Sequence, residues 1–116
     1  MKVYTYKNCT TCKKAVKWLR ENDIEFEELP IRTLPPSKAE LSDMLGYYAD
    51  DIRKLFNTSG GDYRAMKLSE KLPKMSTDEA LELLASNGNL VKRPFLLGDD
   101  FGLVGFKEDE WALKVG

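Results

Sequence analysis

The sequence contains no histidine, only two cysteines, and no stretch approaching the ~18 consecutive apolar residues of a membrane span. Without imidazole, Cys-His, Ser-His and histidine acid–base schemes are unavailable. Any catalysis must draw on thiol, carboxylate, amine or guanidinium groups. A zinc site is excluded for the same reason, because two thiolates leave half of the usual ligands missing. An excess of one charge is lacking as well: 18 Lys and Arg stand against 19 Asp and Glu, so no broad field draws in nucleic acid or an anionic membrane. The run at residues 3–8 is mixed in character and lacks the apolar core of a signal peptide, which leads to the expectation of a cytoplasmic protein. At 116 residues, 42% of them hydrophobic, the chain suits one domain with its own core.

What is present centres on Cys9-Thr10-Thr11-Cys12, where a β-branched and aromatic run at residues 3–6 gives way to a helix. A helix N-terminus offers unpaired N–H groups and a partial positive charge, so a thiolate is favoured over a thiol there. Cys9, at or next to the N-cap, gains most. Cys12 lies nearly one turn on, on the same face, within reach of the Cys9 sulfur. In a reducing compartment such a pair, beside a strand-helix-strand pattern, reads as a redox motif with a nucleophile and a resolving thiol. Two core cysteines or a chance short pattern are the plainer alternatives.

Along the chain, Cys12, Ala15, Val16 and Leu19 share one helical face, and partial alternation at residues 24–29 supports a second, parallel strand. Ser37 with Glu40 and Ser76 with Glu79 have the spacing of capping boxes. Asp50 and Asp51 are placed to cap a short helix carrying Ile52, Leu55 and Phe56, and residues 62–68 suggest another. Residues 37–88 therefore read as helical throughout. Residues 95–97 and 103–106 then form a β-hairpin, and a last helix over 108–114 is anchored by Trp111.

Two arginines are ambiguous from their own neighbourhoods. Arg93 precedes Pro94 at the start of a strand, where proline is simply tolerated. An X-Pro bond held cis would instead turn this backbone toward an incoming chain or anion, with the guanidinium as an anion fork. Arg53 sits beside Ile52, Leu55 and Phe56, and most such arginines are solvated.

Taken together, Cys9-Thr10-Thr11-Cys12-Lys13-Lys14-Ala15, Asn57-Thr58-Ser59-Gly60 with Tyr63-Arg64, Lys92-Arg93-Pro94 and the run from Val104 to Glu110 resemble the arsenate-reductase-like (ArsC) family, which includes the Spx regulators. The resemblance covers essentially the whole chain. It implies an α/β, thioredoxin-like, four-stranded mixed sheet with an all-helical insert at about residues 37–88. It also implies a cis Arg93-Pro94 bond facing the cysteine. By position Cys9 matches the family's catalytic cysteine, and Arg93 and Arg53 match arginines that bind the oxyanion and stabilise the thiolate. Thr10, Thr11 and Pro94 complete the expected anion-binding rim. Two departures count against arsenate as the substrate: a third arginine, expected on the last strand, falls near Gly105, and Thr10-Thr11-Cys12-Lys13 replaces Gly-Thr-Ser-Arg after the first cysteine.

The resulting expectation is a thiol-disulfide oxidoreductase with Cys9 as nucleophile, Cys12 as resolving thiol and Arg93 assisting. A small disulfide, thiol adduct or oxyanion is the substrate. No bound cofactor is needed, and glutathione, glutaredoxin or thioredoxin supplies electrons. The alternative is an Spx-like redox-switched regulator that binds the RNA polymerase α subunit.

Overall fold

The computed structural model describes residues 1–115. The chain begins with β1 (Lys2–Thr5), α1 (Thr10–Glu21) and β2 (Glu27–Pro30). A helical stretch follows: α2 (Lys38–Tyr47), a 3-10 helix at Ile52–Leu55, α3 (Gly61–Ala65), α4 (Leu68–Lys71) and α5 (Thr77–Ser86). It closes with β3 (Phe95–Leu97), β4 (Gly102–Val104) and α6 (Glu108–Lys114). The sheet order is β2-β1-β3-β4, with β1 parallel to β2 and the other pairs antiparallel. This is the expected four-stranded mixed α/β sheet.

Alternation along the strands sends successive side chains to opposite faces and builds two cores. On one face Val3, Leu96 and Leu103 pack with Ala15 and Leu19 of α1 and Trp111 of α6. On the other, Tyr4 and Phe95 meet Leu41, Met44 and Leu45 of α2 and Leu84 of α5. Trp111 is buried as expected, and its indole N–H donates to the Gly105 carbonyl at 3.1 Å. The indole therefore fixes the turn that follows β4.

Both capping boxes form, with Ser37 and Glu40 at α2 and Ser76 and Glu79 at α5 exchanging their reciprocal bonds. Three details differ from the sequence reading. Asp51 precedes the 3-10 helix without a side-chain cap bond, because Ala49 and Asp50 bring the chain in at positive φ. The helix expected over 62–68 is cut at Lys67, which stands in the left-handed region at φ 53°. The second strand starts at Glu27, because Ile24 and Phe26 pack into the core shared by Val3 and Trp111 before the chain reaches the sheet.

One long-range tie positions the site. Phe56 pairs with Val91 in an isolated antiparallel bridge, flanked by Asn57 N–H to Leu90 O at 2.7 Å and Lys92 N–H to Leu55 O at 2.8 Å. The turn bearing Arg53 is thereby held against the segment that leads into Arg93.

Candidate functional site

Cys9 is the N-cap of α1, with extended backbone (φ −95°, ψ 112°). Its Sγ accepts a hydrogen bond from the Cys12 N–H at 3.2 Å, so the sulfur takes one of the four donors a helix start leaves unpaired. No acidic residue occupies the first turn of α1, and nothing there opposes the dipole's preference for an anion. Both cysteines are free thiols; Cys9 is half-buried and Cys12 is buried, on the face it shares with Ala15, Val16 and Leu19.

Burial pushes the Cys12 thiol up to about 12, and the hydrogen bond with Cys9 adds to the rise; the Tyr6 backbone and the Arg93 charge oppose it. At neutral pH Cys12 is protonated. Cys12 also touches an open groove of about 380 Å³ whose walls carry Lys13, Lys17 and Arg20.

Arg93 lies where its charge acts on Cys12 and its guanidinium stands over the Tyr6 ring, 5.2 Å from the centroid. Arg32 takes up a second position over the same ring at 4.8 Å and donates to the Tyr6 hydroxyl at 2.8 Å. The hydrogen bond from Asn8 and then that from Arg32 lower the Tyr6 phenol below its ordinary value, although partial burial opposes them. Nη1 of Arg93 is buried and has no hydrogen-bond partner among the described residues. The Arg93-Pro94 peptide bond is cis.

Thr11, Arg53 and Arg93 line one open cleft of about 580 Å³, together with Lys92, Gly105 and Phe106. Thr11 belongs to the turn that Cys9 caps, so the cleft reaches the start of α1. Thr10 is exposed and lies outside the cleft's lining, and Pro94 is buried, its carbonyl accepting from the Gly105 N–H at 2.9 Å. Tyr6 is absent from the residues the sequence points to, and Lys92 enters there only as part of Lys92-Arg93-Pro94, with no role of its own. Tyr6 adjoins the dithiol motif, and that adjacency was the available signal.

Arg93→Gln is expected to lower the ratio of Cys9 alkylation by iodoacetate to that by iodoacetamide by roughly tenfold, the scale of one charge-assisted contact of about 1.5 kcal/mol. Rate measurements on both reagents check this, and an unchanged ratio would remove Arg93 from the anion-attracting role.

The fold and the dithiol at its first helix define a thioredoxin-like Cys-x-x-Cys protein. A model of the ArsC family matches residues 4–113, and the chain belongs to that family. It is 50% identical over 108 residues to the uncharacterized protein YusI of Bacillus subtilis, covering 93% of this chain and 92% of that one. It is 33% identical over 103 residues to the global transcriptional regulator Spx of Streptococcus agalactiae, covering 89% and 74%. Among solved structures, an ArsC-family-related protein from Bacteroides fragilis superposes with a TM-score of 0.91 at 45% identity, covering 97% of this chain and 94% of that one. No helix among the described residues is long and apolar enough to cross a membrane.

Proposed function

We propose that the protein is a cytoplasmic thiol-disulfide reductase in which Cys9 attacks and Cys12 resolves. The observation that carries this reading is the Cys12 N–H pointed at the Cys9 sulfur at 3.2 Å, which places a donor on the nucleophile and the second thiol within one helical turn of it. The Cys9 thiolate attacks one sulfur of a disulfide R–S–S–R′, forming Cys9–S–S–R and expelling R′S⁻. Cys12, once deprotonated, attacks the Cys9 sulfur, releases RS⁻ and leaves the Cys9–Cys12 disulfide. Two reducing equivalents from glutathione, glutaredoxin or thioredoxin then restore both thiols.

The causes of the raised Cys12 thiol also suggest an order of events. Two of the influences that keep Cys12 protonated, a hydrogen bond and a charge, come from Cys9 itself. When Cys9 enters a mixed disulfide both lapse, while Arg93 continues to favour the Cys12 thiolate. Burial, the largest cause, remains, so Cys12 is eased toward deprotonation once there is an adduct to resolve.

The test is turnover by the whole protein, coupled to thioredoxin or glutathione, on a glutathione mixed disulfide, a small neutral disulfide and arsenate, with Cys9→Ser as the control. Turnover of at least one disulfide that falls on the order of 10⁴-fold in Cys9→Ser is expected; equal rates with and without Cys9 would end the proposal.

A second reading draws on the Spx relatives, which are named as transcriptional regulators. Here the Cys9–Cys12 pair would alter affinity for the RNA polymerase α subunit and turn over nothing. Retention on immobilised α subunit in one redox state only, without turnover, would favour it.

A further inference from the structure

The family resemblance expects a third arginine near Gly105, yet Gly105 has no side chain and stands at φ 71° just after β4. A Cβ built there would meet Cε of Lys92 at 3.4 Å, so the stem of Lys92 occupies the edge of the space such a side chain would use. The Lys92 backbone is fixed by its N–H bond to Leu55 O at 2.8 Å, next to the Phe56–Val91 bridge. Its side chain is half-buried, whereas Lys54 and Lys107 in the same cleft are exposed. Lys92 is thus the lysine of this cleft whose position the fold constrains. It shares the cleft with Arg53 and Arg93, and Asp51 and Glu110 bring carboxylates to the same walls.

Two features separate this cleft from a tetrahedral-anion site. Its volume of about 580 Å³ lies within the range of about 300–1,000 Å³ of small-molecule sites and far exceeds a single oxyanion. Its cations are also mixed with carboxylates, which suits a ligand carrying both signs, with carboxylates in excess. The Lys92 ammonium can donate to a carboxylate as a compact point charge, beside the guanidinium forks of Arg53 and Arg93.

We propose that Lys92 is the specificity-determining residue of this cleft and that it selects the disulfide adduct of an amino-acid-bearing thiol by binding one of its carboxylates. The inference rests on the thiol-disulfide reading for its chemistry. Cys9 takes the thiol moiety R as Cys9–S–S–R, R′S⁻ leaves, and R extends past Thr11 into the cleft until Cys12 releases it as RS⁻.

S-methylglutathione, a thioether that cannot exchange, serves as the probe. Calorimetry on wild type, Lys92→Gln and Lys92→Arg should show affinity falling about tenfold in Lys92→Gln and returning close to wild type in Lys92→Arg. In turnover, the preference for the glutathione mixed disulfide of 2-mercaptoethanol over neutral bis(2-hydroxyethyl) disulfide should fall by about the same factor in Lys92→Gln, through KM. Absence of binding to wild type, equal binding by Lys92→Gln, or equal losses on both disulfides would overturn the assignment. If Lys92→Gln loses the probe but wild type reduces neither disulfide, the assignment of Lys92 stands and the reductase reading falls.

Discussion

Treated with glutathione disulfide, the Cys12→Ser variant is expected to accumulate one glutathione on Cys9, visible by intact mass, while wild type proceeds to the Cys9–Cys12 disulfide. The Cys9 sulfur is half-buried at the N-cap and open to attack on an external disulfide, whereas Cys12 is buried beneath it. The first exchange needs only Cys9; the second needs a thiol that serine cannot replace, because an alkoxide is not formed near neutral pH and carbon-bound oxygen does not displace sulfur here. In Cys12→Ser the adduct should be close to stoichiometric and persist until an external thiol is added. A Cys12→Ser protein that stays unmodified would take Cys9 out of the attacking role. One that loses its adduct as fast as wild type would take Cys12 out of the resolving role.

The resolving step should accelerate with pH well beyond the range in which an ordinary thiol levels off. The Cys12 thiol is pushed up to about 12, first by burial. A raised thiol value means that the neutral form dominates below it, so the thiolate fraction rises about tenfold per pH unit on the way up. The Cys9 contributions lapse in the adduct and bring the value down, but burial, the largest cause, remains. The rate of glutathione release from pre-formed Cys9 adduct, followed by stopped flow from pH 7 to 9.5, is therefore expected to climb without a plateau. Levelling at or below about 8.5, the ordinary thiol value, would show that burial does not control this group.

Much of this site was legible in the chain, for reasons that differ from residue to residue. The placement of Cys9 and Cys12 followed from helical spacing alone, and the deep burial of Cys12 followed from its sharing a face with Ala15, Val16 and Leu19. The capping boxes at Ser37 and Ser76 were local patterns and both form, whereas the cap expected of Asp51 does not. Arg53 and Arg93 could not be paired from periodicity, since the Phe56–Val91 bridge that joins their segments is a contact of distant residues. The roles of Tyr6 and Lys92 come from tertiary packing, which the sequence does not show: an aromatic ring with two guanidinium groups over it, and a lysine stem beside a glycine. The second strand was placed early because Ile24 and Phe26 alternate with glutamates, and alternation does not reveal which apolar residues fill a core before the strand begins.

The strand β2 carries a further consequence, for behaviour at high concentration. Among the described residues it pairs with β1 alone, so its other side is a sheet edge. The amides of Glu27 and Ile31 point inward, donating to the carbonyls of Met1 and Thr5 at 2.9 Å each. By alternation the outward positions are 28 and 30. Pro30 has no N–H to offer a fifth strand, whereas the Glu28 carboxylate turns back to accept from the Thr5 hydroxyl of β1 at 2.7 Å. Edge-to-edge pairing with a further strand is discouraged at the position where the ladder would have to continue.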